Sequence, residues 1–474
     1  MSTPRDPRSS PKSTLPLQAT EGWNPGVWRS SPTTQQPVYS DPVALAAAVA
    51  SLRSLPPLVT SWEIDRLRNQ VAEAAEGQRF LLQGGDCAER FDECASAPIA
   101  ARLKILLQMS LVLAHGGRRR VIRVGRFAGQ YAKPRSTSTE TRDGVELPSY
   151  RGDNINASAF GASERAPDPA RLVEGHSRSA LTLNFIRSLI DGGFADLHHP
   201  EYWDLDFASH SPRGGEYQAM VEAIGEALRF MESLAGKQLG EMSQVDFFTS
   251  HEALVLEYEE ALTRQVPHRP GWWNLSTHFP WIGLRTADPD GGHVAYFSGI
   301  QNPIGVKIGP GMSVEHVLAL VERLDPHRSP GRLTLIHRFG REGIADGLPP
   351  ILRAVAETGR KPLWVCDPMH GNTRSVVPDS GPMSGEKVKT RSFDDILQEL
   401  EMAFEIHLEC GSRLGGVHFE LTGENVIECT GGARGLVDAD LGREYRSQVD
   451  PRLNYEQSLE MAMRIARRMR DAGV

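Results

Sequence analysis

The sequence predicts a (β/α)8 barrel with an N-terminal extension and a helical insertion between barrel strands 2 and 3. Three observations carry this reading. Eight short apolar runs, each of four to six residues, end in polar chemistry; amphipathic helical stretches separate most of them; and one connection is much longer than the others. Continuous apolar runs without alternation indicate parallel strands buried on both faces. Eight strand–helix units favour a closed barrel over an open sheet. One barrel with additions accommodates 474 residues.

The elements follow in chain order. Residues 1–22 are rich in Ser, Pro, Thr and Arg and read as a disordered tail. Residues 23–77 form a helical extension: DPVALAAAVASL is a capped, Ala-rich helix and SWEIDRLRNQVAEAA a second one, with no strand pattern of its own after either. Residues 78–474 form the barrel domain, with strands predicted at RFLLQGGDC (near 79), RRVIRVGRF (119), VDFFTSHE (245), WNLSTHF (273), IGVKIG (304), LTLIHRFG (333), PLWVCDPMHG (362) and GVHFELTGEN (416). The helices between them include SVEHVLALVERL, LPPILRAVAETG and FDDILQELEMAFEIHLECG. The oversized connection, about 195–244, holds an apolar stripe of Tyr217, Met220, Val221, Ile224, Leu228 and Met231. That stripe fits a core-packing helix or a partner surface. The chain closes on a helix, NYEQSLEMAMRIARRMR, with Asn454 as N-cap and Gln457 placed to complete a capping box.

Bulk properties narrow the function. A formal charge of -8 and a pI near 6.0 give no support for a nucleic-acid or anionic-membrane partner. No run of eighteen apolar residues argues for a bilayer span. The N-terminus lacks the apolar region of a secretory signal, and five cysteines are too few for a disulfide framework, so a reducing cytoplasm is the expected location.

In a barrel of this kind the chemistry lies at the C-terminal strand ends and the loops after them. Those positions carry Arg126, Lys133, Arg135, Arg285, Lys307, Arg338 and Arg391. A cationic basin on an acidic protein points to small substrates bearing phosphate or carboxylate groups, which arginine binds bidentately. The same positions supply Cys87, His370 and Glu420, with Asp450 a further candidate in the loop QVDPRLN. This mixed sulfur, nitrogen and oxygen set suits Mn, Fe, Co or Zn better than Mg or Ca. No GxxxxGK[ST] loop is present, and no GxGxxG opens a helix after a strand, so NTP hydrolysis and nicotinamide chemistry lack local support. A Cys–His hydrolase built on Cys87 and His370 would leave the cations unexplained.

The motifs LLQGGDCAERF, VGRFAGQYAKPRS, GVELPSYRGD, TSHEALVLEYEEAL, NPIGVKIGP, CDPMHGNT, KTRSFDDI, HFELTGENVIEC and DPRLN resemble those of type II 3-deoxy-D-arabino-heptulosonate 7-phosphate (DAHP) synthases. The similarity runs from about Trp23 to the last helix. It implies condensation of phosphoenolpyruvate with erythrose 4-phosphate, the first step of the shikimate pathway. By resemblance the metal ligands are Cys87, His370, Glu420 and Asp450, and manganese is the expected ion, with cobalt, iron or zinc as alternatives. Phosphoenolpyruvate falls to Arg126, Arg285, Lys307 and Arg338, and the sugar phosphate to Lys133, Pro134, Arg135 and Ser136. Lys307, His370 and Arg126 are the expected catalytic residues, with proton movement open between Lys307 and His370. The resemblance further implies a homo-oligomer (dimer or tetramer), aromatic amino acid effectors and chorismate mutase as a partner. A synthase specialised for a secondary metabolite, or a catalytically weak regulatory paralogue, is the alternative. Three departures stand out: Leu284 replaces the usual Glu before the Arg of WIGxRT, DSGPMSGEKV lengthens the loop before KTR, and Val449 replaces a Cys found in some relatives.

Overall fold

The computed structural model describes residues 22–191, 203–235 and 246–471. The predicted tail (1–22, apart from Gly22), both ends of the 195–244 insertion and the Met231 side chain lie outside the described residues. Eight parallel strands close a barrel: β1 (Arg79–Gly85), β2 (Arg120–Arg126), β3 (Phe247–Glu252), β4 (Phe279–Ile282), β5 (Ile304–Ile308), β6 (Leu333–His337), β7 (Leu363–Cys366) and β8 (Gly416–Glu420). Each strand pairs with its sequence neighbour, and β1 pairs with β8 to close the ring. This is the TIM-barrel architecture expected from the apolar runs.

One strand is displaced from its predicted place. Of WNLSTHF only Phe279 belongs to β4; Arg269–Asn274 instead pairs antiparallel with Thr263–Val266 as a hairpin beside the barrel. The physical reason is polar. Asn274 and Ser276 are buried against Glu259, with Nδ2 and Oγ donating to Glu259 Oε2 at 2.7 and 2.8 Å, a network no two-sided apolar strand would host. The true strand, FPWI, is apolar throughout but disguised by Pro280, since proline argues against a central strand.

The barrel is closed at its N-terminal end by the extension. The helix Ser61–Ala75 begins in a capping box, where Glu63 N donates to Thr60 Oγ1 (3.3 Å) and Thr60 N to Glu63 Oε2 (2.8 Å). Its Leu67, Val71 and Ala74 pack under the barrel interior against Leu81, Ile122, Phe248, Trp281 and Val365. Burying Leu67 and Val71 contributes about 1.5–3 kcal/mol each. The connection from β2 to β3 carries a hairpin (Thr139–Arg142 with Val145–Pro148), the helix Ala170–Asp191 and the helix Gly214–Ala235. Tyr217, Val221 and Ile224 on the last of these are buried in the main core, with Met220 and Leu228 half-buried beside them. The described part of that apolar stripe is thus largely covered within the chain itself, as a core-packing helix requires.

Ser96–Gly117 is long and apolar enough to cross a bilayer by length and composition, yet it is a barrel helix, packed on the closing helix Tyr455–Asp471 and mostly buried. That closing helix is capped as expected. Gln457 N donates to Asn454 Oδ1 (2.9 Å), and Asn454 N to Gln457 Oε1 (3.3 Å).

Candidate active site

Strand register assembles the centre of the site. Gly85 pairs with Glu420 on one side and Arg126 on the other, so these two reach the C-terminal rim at one level, with Cys87 two residues beyond Gly85. Ile336 pairs with Lys307, and His337 with Cys366, whose successor Asp367 opens the turn to His370. Asp450 arrives from the loop before the last helix.

Three of the four expected metal ligands meet closely. Cys87 Sγ and carboxylate oxygens of Glu420 and Asp450 lie within 4.8 Å of one another. The fourth, His370, approaches through Nε2, 2.8 Å from Glu420 Oε1. Burial opposes ionisation of Glu420, but His370, Lys133, Arg391 and Arg126 hold it well below the usual carboxylate range; Asp450 is held down likewise, mainly by Lys133. Burial and the Glu420 charge push the Cys87 thiol up to about 12. The Lys133 ammonium touches Cys87 and lies 3.2 Å from Glu420 and 2.5 Å from Asp450. The two carboxylates stay ionised, and thiol, imidazole and carboxylates together are a donor set whose chemistry fits a borderline divalent metal.

Lys133 lines the same cavity as Pro134, Arg135 and Ser136 and also reaches the ligand cluster, where buried anions require a charge partner. Arg135 and Ser136 stay at the mouth, with Arg135 Nη2 3.2 Å from Glu140. The mouth opens into a cavity of about 340 Å³ whose wall includes Lys133, Pro134, Arg135, Ser136, Arg285, Lys307, Arg338, His370 and Asp450. Cys87, Glu420 and Arg126 are buried behind it. Arg285 is exposed to the cavity, and Arg338 Nη2 donates to the His370 carbonyl at 2.6 Å.

Deeper in, Lys307 Nζ is 2.6 Å from Asp367 Oδ2 and 3.2 Å from His370 Nδ1. Burial pushes Lys307 down to about 8, although Asp367 pulls the other way. Burial would raise Asp367, yet His370 and Lys307 hold it well below its ordinary range. Asp367 also accepts from His370 Nδ1 at 2.7 Å, which leaves Nε2 turned to the ligand cluster.

Three site residues escaped the sequence reading although each lies in a motif that it singled out. Asp367 sits in CDPMHG, Lys389 opens KTRSFDDI and pairs with Asp450 (2.9 Å), and Glu252 ends β3. Glu252 lines the cavity, and its buried Oε1 finds no hydrogen-bond partner among the described residues. Burial raises its pKa against the pull of Lys307, Lys133, Arg126 and Arg285. Gly283 makes room for it: a Cβ there would stand 1.9 Å from Glu252 Oε1. A search for anion-binding groups passes over carboxylates, and two of these three are carboxylates.

The three departures are also placed. Leu284 lines the cavity next to Gly283 and Arg285. The lengthened loop does not: Gly381 and Met383 pack on Ala439 and Gly442, and of its hairpin only Lys389 reaches the cavity wall. Val449 packs against Cys87, and all five cysteines are free.

Fold and site together define a barrel with a cation-lined cavity beside a cluster of possible metal ligands. The chain belongs to the class-II DAHP synthetase family, whose profile matches residues 23–466. It is 47% identical over 444 residues to a phospho-2-dehydro-3-deoxyheptonate aldolase of Streptomyces coelicolor, covering 94% of this chain and 97% of that one. It is 48% identical over 461 residues to the protein of the same name from Neurospora crassa, covering 94% of each. Among solved structures, the Francisella tularensis enzyme of that name aligns with a TM-score of 0.43 at 14% identity, over 92% of this chain and 98% of that one. A truncated DAHP synthase from Thermotoga maritima aligns with a TM-score of 0.33 at 11% identity, over 82% and 86%.

Proposed function

We infer that this cavity joins phosphoenolpyruvate to erythrose 4-phosphate and releases inorganic phosphate, the DAHP synthase reaction that opens the shikimate pathway. The observation that supports it best is one cavity whose wall carries two groups of cations beside the ligand cluster: Arg285, Lys307 and Arg338 with Arg126 buried behind them, and Arg135 and Lys389 with the Ser136 hydroxyl. The first group takes phosphoenolpyruvate, the second the phosphate of the sugar. A divalent metal held by Cys87, His370, Glu420 and Asp450, manganese on this donor set with cobalt, iron or zinc as alternatives, would supply Lewis acidity toward the aldehyde oxygen.

The chain's own residues do the rest. The arginines fix both substrates side by side and neutralise their charge. The enol carbon attacks the aldehyde carbon, and the aldehyde oxygen gains a proton. We assign that proton to Lys307 over His370, since an ammonium lowered to about 8 is a competent acid near neutrality. Water then bonds to the carbon bearing the phosphate while its proton passes to the free Oε1 of Glu252. The bond from that carbon to the phosphate oxygen breaks last: phosphate leaves with the electron pair and takes up the proton of the new hydroxyl, whose oxygen becomes the ketone.

The assembled ligand and cation sets favour an active enzyme over a regulatory paralogue. Phosphate release from phosphoenolpyruvate, measured with erythrose 4-phosphate and with other aldehydes, with and without added manganese or cobalt, tests the reading. Turnover greatest with erythrose 4-phosphate and dependent on metal supports it. Equal or better turnover with an amino-sugar aldehyde shifts it to a specialised synthase.

A further inference from the structure

Three consecutive residues of the N-terminal extension reach three different loops on the catalytic face. Thr34 Oγ1 donates to the Arg285 carbonyl at 3.2 Å, in the loop after β4. Gln36 Nε2 donates to the Leu254 carbonyl at 2.7 Å and Gln36 Oε1 accepts from Leu256 N at 3.1 Å, after β3. Between them Gln35 makes a reciprocal amide pair with the backbone of Arg135, after β2: Arg135 N donates to Gln35 Oε1 (3.0 Å) and Gln35 Nε2 donates to the Arg135 carbonyl (3.1 Å).

The local backbone singles out Gln35 further. Its φ is +60°, a left-handed conformation that costs a side-chain-bearing residue free energy and persists where surrounding contacts enforce it. Arg151 supplies such contacts, donating Nη2 to the Gln35 carbonyl and, at 3.2 Å, to Gln35 Oε1. The Arg151 carbonyl in turn accepts from Lys133 N at 2.9 Å. The segment around Gln35 is therefore stitched to both ends of the Lys133–Arg135 stretch. By contrast, the Arg135 guanidinium is only partly buried at the cavity mouth, its side chain 21% exposed, with Glu140 as its ion-pair partner. Its aim depends on how firmly its own main chain is held.

We propose that Gln35 is a positioning residue for the acceptor site, fixing the Arg135 main chain so that its guanidinium meets the phosphate of the incoming sugar. The extension is then part of the active site as well as the plug of the barrel. Gln35 touches no substrate; it acts through Arg135. This rests on the assignment of Arg135 to the sugar phosphate, and the experiment separates the two.

The measurement is steady-state kinetics of the full-length, metal-loaded enzyme, varying each substrate in turn, for Gln35→Ala, Arg135→Ala and the double variant. Loss of the paired amide contacts should raise the KM for erythrose 4-phosphate about tenfold while that for phosphoenolpyruvate moves less than about twofold. In the Arg135→Ala background the same Gln35 change should do almost nothing, because the group it positions is gone. Gln35→Gly removes the amide while easing the left-handed backbone, and should reproduce the alanine result even if alanine folds poorly. An equal rise in both KM values, or an undiminished effect in the Arg135→Ala background, overturns the proposal. If Arg135→Ala raises the acceptor KM and neither Gln35 variant does, the positioning role alone falls. If Arg135→Ala leaves that KM unchanged, the acceptor assignment falls, and this proposal with it.

Discussion

Replacing Arg452 with alanine should weaken the fold and the metal cluster together. Its guanidinium, 4% exposed, gives Nη1 to Asp86 (2.6 Å) and Nη2 and Nε to Glu428 (2.9 and 3.1 Å). Asp86 precedes Cys87, and Arg452 follows Asp450 by two residues, so this one side chain ties the β1 terminus to the loop that carries Asp450. Without it Asp86 keeps, among the described residues, Arg102 as a charge partner, and Glu428 keeps backbone donors from Arg446, Ser447 and residue 452. Removing one partner of a buried ion pair costs about 3–5 kcal/mol, because the other charge stays buried. The exposed pair Arg341–Asp395, at 2.8 Å, is the control, and losing it should cost no more than about 1 kcal/mol. Guanidinium chloride unfolding of both variants at fixed metal reads the difference, and competition with a chelator reads metal affinity, expected to fall about tenfold or more in Arg452→Ala. An Arg452→Ala protein as stable as Arg341→Ala, with its metal held normally, would refute the reasoning.

Further outcomes follow from the same structure. Cys87→Ser should severely weaken metal retention and activity because thiolate softness is lost; full activity after chelation and magnesium re-addition would contradict the ligand assignment. Arg135→Ala should raise the KM for erythrose 4-phosphate and Arg338→Ala that for phosphoenolpyruvate, each by about 1.5–3 kcal/mol of lost charge-assisted contact; reversed selectivities would count against the two groups of cations. His293 is buried, bonded to the Leu254 carbonyl (3.1 Å), and burial pushes its pKa down to about 4. Between that value and the ordinary one the unfolded chain binds the extra proton, so stability falls as pH falls. From pH 7 to 5 the contribution is about 2 kcal/mol. His293→Gln should lose that much less over the same interval, and an unchanged pH slope would contradict the assignment.

The fold was legible because seven of the eight apolar runs are two-sided barrel strands, whose pattern owes nothing to long-range detail. The eighth misled because Asn274 and Ser276 satisfy their polar groups through Glu259, a partner from another element, while Pro280 hid the neighbouring strand. The site was legible as a list of strand-end residues and less so as a geometry. Sequence position could show that Lys133 lies near Arg135, but not that its stem descends to Cys87 and Asp450. Nor could it reveal that Asp367 orders both Lys307 and His370, or that Gln35, about a hundred residues before Arg135, closes on its main chain. Such contacts depend on where separate loops meet above the barrel, and local pattern carries no record of that.

The account's central claim is that the two substrates condense in one cavity and that water attacks carbon, not phosphorus, to release phosphate. Phosphate release measured in heavy-oxygen water, with both substrates together and each alone, tests it most directly. The prediction is one phosphate released per sugar phosphate consumed, none with either substrate alone, and no heavy oxygen in that phosphate. Release from phosphoenolpyruvate alone, or heavy oxygen appearing in the phosphate, would contradict it.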